Sequence, residues 1–474
     1  MKNFKITFII FAFFILFSLF FAHNSFAISI PNEKKLGKKF MEMVKKQDMI
    51  LNDPIVDHMV TKAGNHILSF LPPQPFEFSF YVINDDIFNA FASPGANIFV
   101  YRGLITSLDS IDELAGIIAH EIAHAASRHV SESIDRAKYI NIGSLAGILA
   151  GIVIGSQSEK SDAGTAIMQS SIAAGHTAML AFTRDNETEA DEKGIMFLKK
   201  SCFSPKGLEI SLMKIRDLDF QGIEKIPDYV KTHPGTGKRI AHVGTILTDY
   251  NTSSLKEKTM CRDFRFNMVK HRLLGLYADI KPTFNQLKTQ LEKDFLNPCL
   301  HYGLALIYDR KFMTQKALFH LEKALSINAF DPMILLEIGR IHLFDKNFIK
   351  AVNILKNIQS DPVIGIMAQY YLAKAYLEMN DFKLAKQYLE KVIKQKPFLY
   401  PGAYFDMANI MLKENNSGFS SFYLGQYYYQ IKNYKNAKFH FTKALKTLKN
   451  PDLIKKSKKF LQKAKTANAK KHSI

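Results

Sequence analysis

Apolar residues are distributed along this chain in several distinct patterns, and each pattern predicts a different kind of element. The first 27 residues, MKNFKITFIIFAFFILFSLFFAHNSFA, place Lys2 and Lys5 ahead of an apolar run of roughly 16 residues. Ser25 and Ala27 then sit at the small positions that an export-signal peptidase requires, so cleavage after Ala27 is expected. The rival is an uncleaved anchor, because the run approaches the ~17–25 residues of a spanning helix. No cysteine follows the run, which argues against a lipoprotein. Beyond it, PNEKKLGKKFMEMVKKQ (31–47) has the period of an amphipathic helix. FEFSFYVIN (76–84) and NIFVYRG (97–103) are aromatic and β-branched runs bounded by Pro, Asp and Gly, and predict strands. Pro94 and Gly95 predict a turn in the intervening NAFASPGA. Helices are expected from Ser110 through His129 and from Arg184 through Lys200, so the N-terminal part is α+β.

From about residue 300 the pattern repeats. Ala305, Gly339 and Ala373 are 34 apart, as are Ala317, Ala351 and Ala385, and Leu321, Leu355 and Leu389 keep the same step. An aromatic or similar ring follows the first small residue by three, at Tyr308, His342 and Tyr376. This pattern resembles the tetratricopeptide repeat, a helix pair that buries its apolar face only by stacking on its neighbour. A further unit returns at Gly425, Tyr428, Ala437, Phe441 and Ala444, displaced by 52, or 34 plus 18. One additional helix, PGAYFDMANIMLK, accounts for the excess. Residues 262–299 are expected to hold degenerate helix pairs, and residues 450–474 a capping helix that frays into a basic tail.

Composition changes this picture little. Hydrophobic residues at 47% and charged residues at 23% belong to an ordinary globular protein, which excludes wholesale disorder. The net charge of +19 is uneven: residues 301–474 carry 29 Lys and Arg against 12 Asp and Glu, leaving only +2 for residues 1–300. Solvated helix faces explain the lysines as well as attraction to an anionic surface does, and no nucleic-acid motif accompanies them. Cys202, Cys261 and Cys299 lack metal-ligand spacing and are too few for a disulfide framework, although one pair can bridge in an oxidising compartment.

The chemistry concentrates in GIIAHEIAHAASRHV (116–130). At about 100° per residue, His120 and His124 leave one helix face about 40° apart, whereas His129 is expected about 180° from His120 and pointing elsewhere. Glu121 stands where its carboxylate can reach a water on a metal held by the two histidines, the H-E-x-x-H arrangement of zinc hydrolases. A glutamate beside two histidines on an apolar helix is poorly explained as core. Catalytic zinc needs a third protein ligand. The extended H-E-x-x-H-x-x-G-x-x-H pattern fails, because Ser127 and Val130 occupy those places. RDNETEAD (184–191) offers Glu187 and Asp191 on one face of a second helix, with Glu189 pointing away. On spacing, Glu187 can bind zinc with Asp191 orienting a histidine ligand, or both can belong to a solvated charged turn.

HEIAH, NETEAD and the later THPGTGKRI together resemble the peptidase family of the HtpX and CAAX prenyl protease type, in that family's order. The added export signal and repeats resemble its periplasmic members, and the resemblance covers nearly the whole chain. It implies a gluzincin-type zinc metalloendopeptidase holding one Zn2+ per chain through His120, His124 and Glu187, with Asp191 behind them. It also implies that His233 and Arg239 face the active site as catalytic groups. His233 then either stabilises the tetrahedral oxyanion or occupies the fourth zinc position and holds the enzyme off; a helix-capping turn before Pro234 is the plain alternative. Glu121 is the expected general base. Asn89, Ala90, Phe91 and Ala92 are expected on a substrate-binding strand that pairs with peptide by β-augmentation, or else on an ordinary core strand. The membrane-embedded family members carry several spanning helices. Here only the signal and NIGSLAGILAGIVIGS (141–156) approach that length, and the latter is expected as a lid or membrane-touching hairpin, or as a buried helix.

The expected architecture is therefore α+β and mainly helical, a zincin-type metalloprotease domain followed by an all-α tetratricopeptide solenoid. Its divisions are 1–27 signal, 28–255 protease, 256–300 connecting helices, 301–449 repeats and 450–474 basic helix and tail. By resemblance, the setting is the periplasm of a Gram-negative bacterium, peripheral to a membrane or free of it. The substrates are unfolded or misassembled envelope proteins, and the outer-membrane assembly machinery is the expected partner of the repeat surface. The competing function is a repeat scaffold or chaperone with a structural or plugged zinc site, in which Glu121 has no role.

Overall fold

The computed structural model describes residues 28–136, 183–220, 229, 232–250 and 265–472. The expected signal, the 141–156 stretch and Cys261 lie outside them. The chain is mostly helical and divides into two units: residues to Leu51 with Val60–Phe264, and Asn52–Met59 with Arg265–Ile474.

In the first unit, helix α1 (Ile30–Lys46) is followed by α2 (Pro54–Leu68), whose first residues group with the second unit. Three strands, β1 (Ser79–Ile83), β2 (Ala90–Ser93) and β3 (Asn97–Tyr101), form a sheet in the order β1-β3-β2. β1 runs parallel and β2 antiparallel to β3. Sequence patterning marks β1 and the central β3; AFAS, short and running into the Pro94–Gly95 turn, is expected as a strand only as the candidate peptide edge. Phe40 and Val44 of α1 bury against Ile83, Phe99 and Tyr101, with Phe40 set edge-on to Phe99 at 5.6 Å. α3 (Arg102–Ser107) leads into α4 (Ile111–Ala126), whose first turn is capped by Ser110, its hydroxyl accepting from the Glu113 amide.

The helix expected to run on to His129 instead ends at Ala126, with Ser127 as its C-cap. Arg128 adopts a left-handed backbone (φ 59°), and α5 (His129–Arg136) starts anew. A non-glycine residue there is costly; here Arg128 Nε and Nη2 both donate to Glu33 at 3.0 Å, which secures the turn. α6 (Arg184–Lys200) opens with a capping box between Thr183 and Asn186. It packs beside α4 because Gly194 has no side chain: a Cβ there would stand 3.3 Å from the His120 amide nitrogen. α7 (Lys206–Phe220) and α8 (Thr236–Leu247) complete the described part of this unit. No helix among the described residues is long and apolar enough to cross a membrane. Cys202 is disulfide-bonded and Cys299 is a free thiol.

The second unit is a run of antiparallel helices from α9 (Phe266–Tyr277) and α10 (Ile280–Lys293) to α20 (Pro451–His472). The small residue of one helix receives a large residue of the next, sixteen positions on. Ala305 and Leu321 are fully buried, as are Ala373 and Leu389, and a Cβ on Gly339 would come within 2.6 Å of Leu355. That fit is the physical content of the 34-residue period. The additional helix occupies Pro401–Lys413.

Candidate metal centre

Four side chains from three segments converge at the crossing of α4 and α6. His120 and His124 come from α4, Glu187 from the first turn of α6, and His233 from the segment before α8. One donor atom of each lies within 4.8 Å of all the others, and all four residues are fully buried. His120 Nε2 is 3.0 Å from His124 Nε2 and 3.3 Å from His233 Nδ1. Glu187 Oε1 is 3.2 Å from His124 Nε2 and 3.0 Å from His233 Nδ1. Donors held about 2.0–2.1 Å from one tetrahedral ion lie about 3.3 Å from each other. The spacing is that of a ligand set, and nitrogen and carboxylate donors suit a divalent ion of the zinc kind.

A further observation also fits an ion. Among the described residues, both carboxylate oxygens of Glu121 are buried without a hydrogen-bond partner, and the nearest cation-capable atom is His233 Nε2 at 3.5 Å. A buried charged carboxylate left so is expensive unless something adjacent compensates it.

The outer contacts hold the donors in orientation. Asp191, four residues beyond Glu187, accepts from His120 Nδ1 at 2.8 Å. Arg239 of α8 donates to Asp191 through Nε and Nη2, both at 2.8 Å. Its Nη1 approaches Glu187 Oε2 at 2.7 Å, an ion pair too bent for a good hydrogen bond. Arg239 thus spans both acids of α6. Burial raises the Glu187 carboxyl, but the electrostatic influence of His233, Arg239 and His124 around it outweighs burial and holds the group well below its ordinary range. Burial likewise opposes ionisation of Asp191, and Arg239 overcomes it. For His120, burial and Arg239 act downward, yet Asp191 and Glu187 carry the ion-free imidazole up to about 9. Burial and the neighbouring His120 charge keep His124 well below its usual value.

Two residues missed by the sequence reading adjoin this cluster. His129 does not point elsewhere: the break at Arg128 turns it back, so that its Nδ1 lies 2.9 Å from His124 Nδ1. Its Nε2 is 3.3 Å from Glu189, the acid on the other face of α6. Three histidines within ten residues were the only hint, because no glycine announces the break. Tyr229 stacks on the His233 ring at 4.3 Å, with its hydroxyl buried and, among the described residues, without a hydrogen-bond partner.

Asn89, Ala90, Phe91 and Ala92 lie on and just before β2, which packs against α4, and are not among the four convergent donors. Ala90 and Ala92 are buried, as an ordinary core strand requires, and β2 is also an edge strand. The Tyr101 amide donates to the Asn89 carbonyl at 3.0 Å. By antiparallel parity, Asn89, Phe91 and Ser93 bond to β3, while Ala90 and Ala92 turn their peptide groups to the outer edge. Among the described residues no strand pairs there.

A buried H-E-x-x-H helix, a glutamate donor on a second helix and an uncompensated carboxylate beside them define a metal-dependent hydrolase of the zincin class. The comparisons agree. Residues 54–247 match the model of peptidase family M48, and residues 367–397 and 422–447 match tetratricopeptide repeats. The chain carries a peptidase family M48 domain followed by tetratricopeptide repeats, and is a metalloendopeptidase. Beta-barrel assembly-enhancing protease of Escherichia coli (strain K12) is 26% identical over 363 residues, 74% of this chain and 71% of its own length. Mitochondrial metalloendopeptidase OMA1 of Schizosaccharomyces pombe is 28% identical over 184 residues, 39% of this chain and 51% of its own. Among solved structures, the type IV pilus biogenesis factor PilW shares 19% identity over 42% of this chain and 90% of its own, with a TM-score of 0.33.

Proposed function

We propose that this protein is a zinc endopeptidase of the bacterial envelope that hydrolyses unfolded or misassembled outer-membrane proteins. Its repeats recruit substrate or the assembly machinery. The observation that carries the reading is the fully buried Glu121 carboxylate, without a hydrogen-bond partner among the described residues, beside four convergent donors. The envelope setting and the client class are supported by the name of the Escherichia coli relative.

His120, His124 and Glu187 would hold the ion, with Asp191 and Arg239 fixing His120 and Glu187 in place. A zinc ion there supplies Lewis acidity and lowers the pKa of a coordinated water toward ~7. Glu121 accepts the proton of the attacking water on its carboxylate and returns it to the leaving amine. Substrate backbone adds as a strand to the Ala90 and Ala92 edge of β2, which anchors the peptide beside α4. His233, with Nδ1 3.0 Å from Glu187 and 3.3 Å from His120, would be a further donor to the ion and would hold the enzyme off while it stays there.

The test is degradation of casein by the purified chain with zinc, beside Glu121→Gln, His233→Ala and the double variant. Cleavage that is slow in the parent, faster in His233→Ala and absent in both proteins that carry Glu121→Gln, with zinc retained, supports the reading. Slower cleavage in His233→Ala returns His233 to the oxyanion role. Activity surviving Glu121→Gln overturns the mechanism, and inert substrate in every tube favours a scaffold with a plugged site.

A further inference from the structure

His120 and His124 are held from behind in different ways. His120 gives its outward nitrogen to a carboxylate, Asp191 Oδ1 at 2.8 Å. His124 gives its outward nitrogen to another imidazole, His129 Nδ1 at 2.9 Å, and that ring is itself almost wholly buried. The far nitrogen of His129 lies 3.3 Å from Glu189 Oε2. Glu189 is steadied in turn by Ser127 Oγ at 3.1 Å and Lys193 Nζ at 2.5 Å, and Lys193 also reaches Ser127 at 2.8 Å.

Two ring nitrogens this close require one proton between them, and only one order of protons is consistent with a metal on His124. If Nε2 of His124 faces the ion, its proton sits on Nδ1 and is donated to His129. His129 must then accept through Nδ1 and carry its own proton on Nε2, where the Glu189 carboxylate receives it. The three groups form a one-way series of donors that ends on an acid at the rim of the unit.

We propose that His129 and Glu189 are positioning residues for the metal, fixing the tautomer and ring orientation of His124. The inference rests on the metal reading proposed above. The break at Arg128 has a purpose in it, since an unbroken helix would carry His129 about 140° away from His124. His129 touches neither the ion nor the substrate and acts only through His124.

The experiment measures zinc affinity of the full chain by competition with a chromophoric chelator, with thermal unfolding in EDTA recorded alongside. The proteins are the parent, His129→Ala, His129→Asn, Glu189→Ala and His124→Ala. Partners behind a metal-bound histidine are worth roughly 10–100-fold in affinity. His129→Ala is expected to lose that much. His129→Asn, whose amide oxygen can stand where Nδ1 accepts, recovers most of it. Glu189→Ala, an exposed change that leaves the core intact, falls between, and raising zinc restores casein cleavage in each. Zinc affinity within twofold of the parent in both His129→Ala and Glu189→Ala overturns the relay. So does a His129→Asn protein that binds zinc no better than His129→Ala. If His129→Ala does not fold, Glu189→Ala decides alone. A parent that binds zinc no better than His124→Ala refutes the metal reading itself, which is a separate outcome.

Discussion

Arg239→Met removes the one guanidinium that spans both acids of α6 while keeping most of its volume. In the parent, Asp191 receives two bonds from Arg239 at 2.8 Å and one from His120, and Glu187 has Arg239 Nη1 at 2.7 Å. All of these groups are at most 4% exposed. Without Arg239, Asp191 keeps a single partner, and Glu187 faces only histidines. Breaking a buried pair by removing one member costs about 3–5 kcal/mol, mostly for the charge left behind. At about 2–4 °C per kcal/mol for a unit of this size, Tm should fall roughly 6–20 °C.

Thermal unfolding of the full chain in EDTA, followed by circular dichroism, reads this directly. With zinc present the loss should shrink, because the ion then compensates Glu187. Adding Asp191→Asn to Arg239→Met takes away the stranded charge and should recover at least about 1 kcal/mol relative to the sum of the two single losses. A single-variant loss below about 1 kcal/mol, or simple additivity in the double variant, would refute this account of what Arg239 does.

Ala92→Pro removes an outward-facing amide from β2 without breaking a bond to β3; casein cleavage should fall severalfold with Tm changed by no more than a few degrees, and unchanged cleavage would remove β2 as the peptide edge. Gly194→Ala adds about 1 kcal/mol of helix propensity but pushes α6 off the His120 backbone by a few tenths of an ångström; stability should change little while zinc binding weakens, measured by chelator competition. In the second unit, burial first and then the nearby His301 charge depress the His320 imidazole to about 4. An unfolded histidine titrates near ~6.5, so only the unfolded chain gains that proton between these values; stability should be unaffected above ~6.5, fall as pH drops toward ~4, and fall less in His320→Asn, read from urea midpoints. Zinc binding near pH 8 should release about one proton, because the ion-free His120 titrates at about 9 and must lose its proton to become a donor; calorimetry in buffers of differing ionisation enthalpy measures it.

What could be read from the sequence divides along physical lines. The helix-pair repeat is legible because every unit sets a small residue against a large one sixteen positions later, a relation that position alone preserves. The pairing of His120 with His124, and of Glu187 with Asp191, is legible because four-residue spacing on a continuous helix fixes a shared face. The same rule misplaced His129, since it assumes continuity and Arg128 enters the left-handed region with Glu33, almost a hundred residues earlier, as its counterion. β2 is weakly marked for another reason: four residues of small and aromatic character do not announce a strand by pattern, so it is expected only as the candidate peptide edge, and its formation depends on the register offered by β3. Long-range partners decide both cases, and no local pattern contains them.

The charge balance of the cluster gives these pieces a common cause. Glu121, Glu187 and Asp191 bring three carboxylates into a volume with essentially no exposure, against one guanidinium from Arg239. With all three ionised, two negative charges would be left over, and the low-dielectric interior would make that excess costly. Without an ion, protons on the histidines must make up the difference, which is why Asp191 and Glu187 lift His120 to about 9 against both burial and Arg239. A dication held by His120, His124 and Glu187 would supply the same two charges at once and leave the histidine lone pairs free to coordinate. Arg239 is then no accessory: with a neutral residue in its place, three charges rather than two would be left uncompensated, and a dication alone could not balance them.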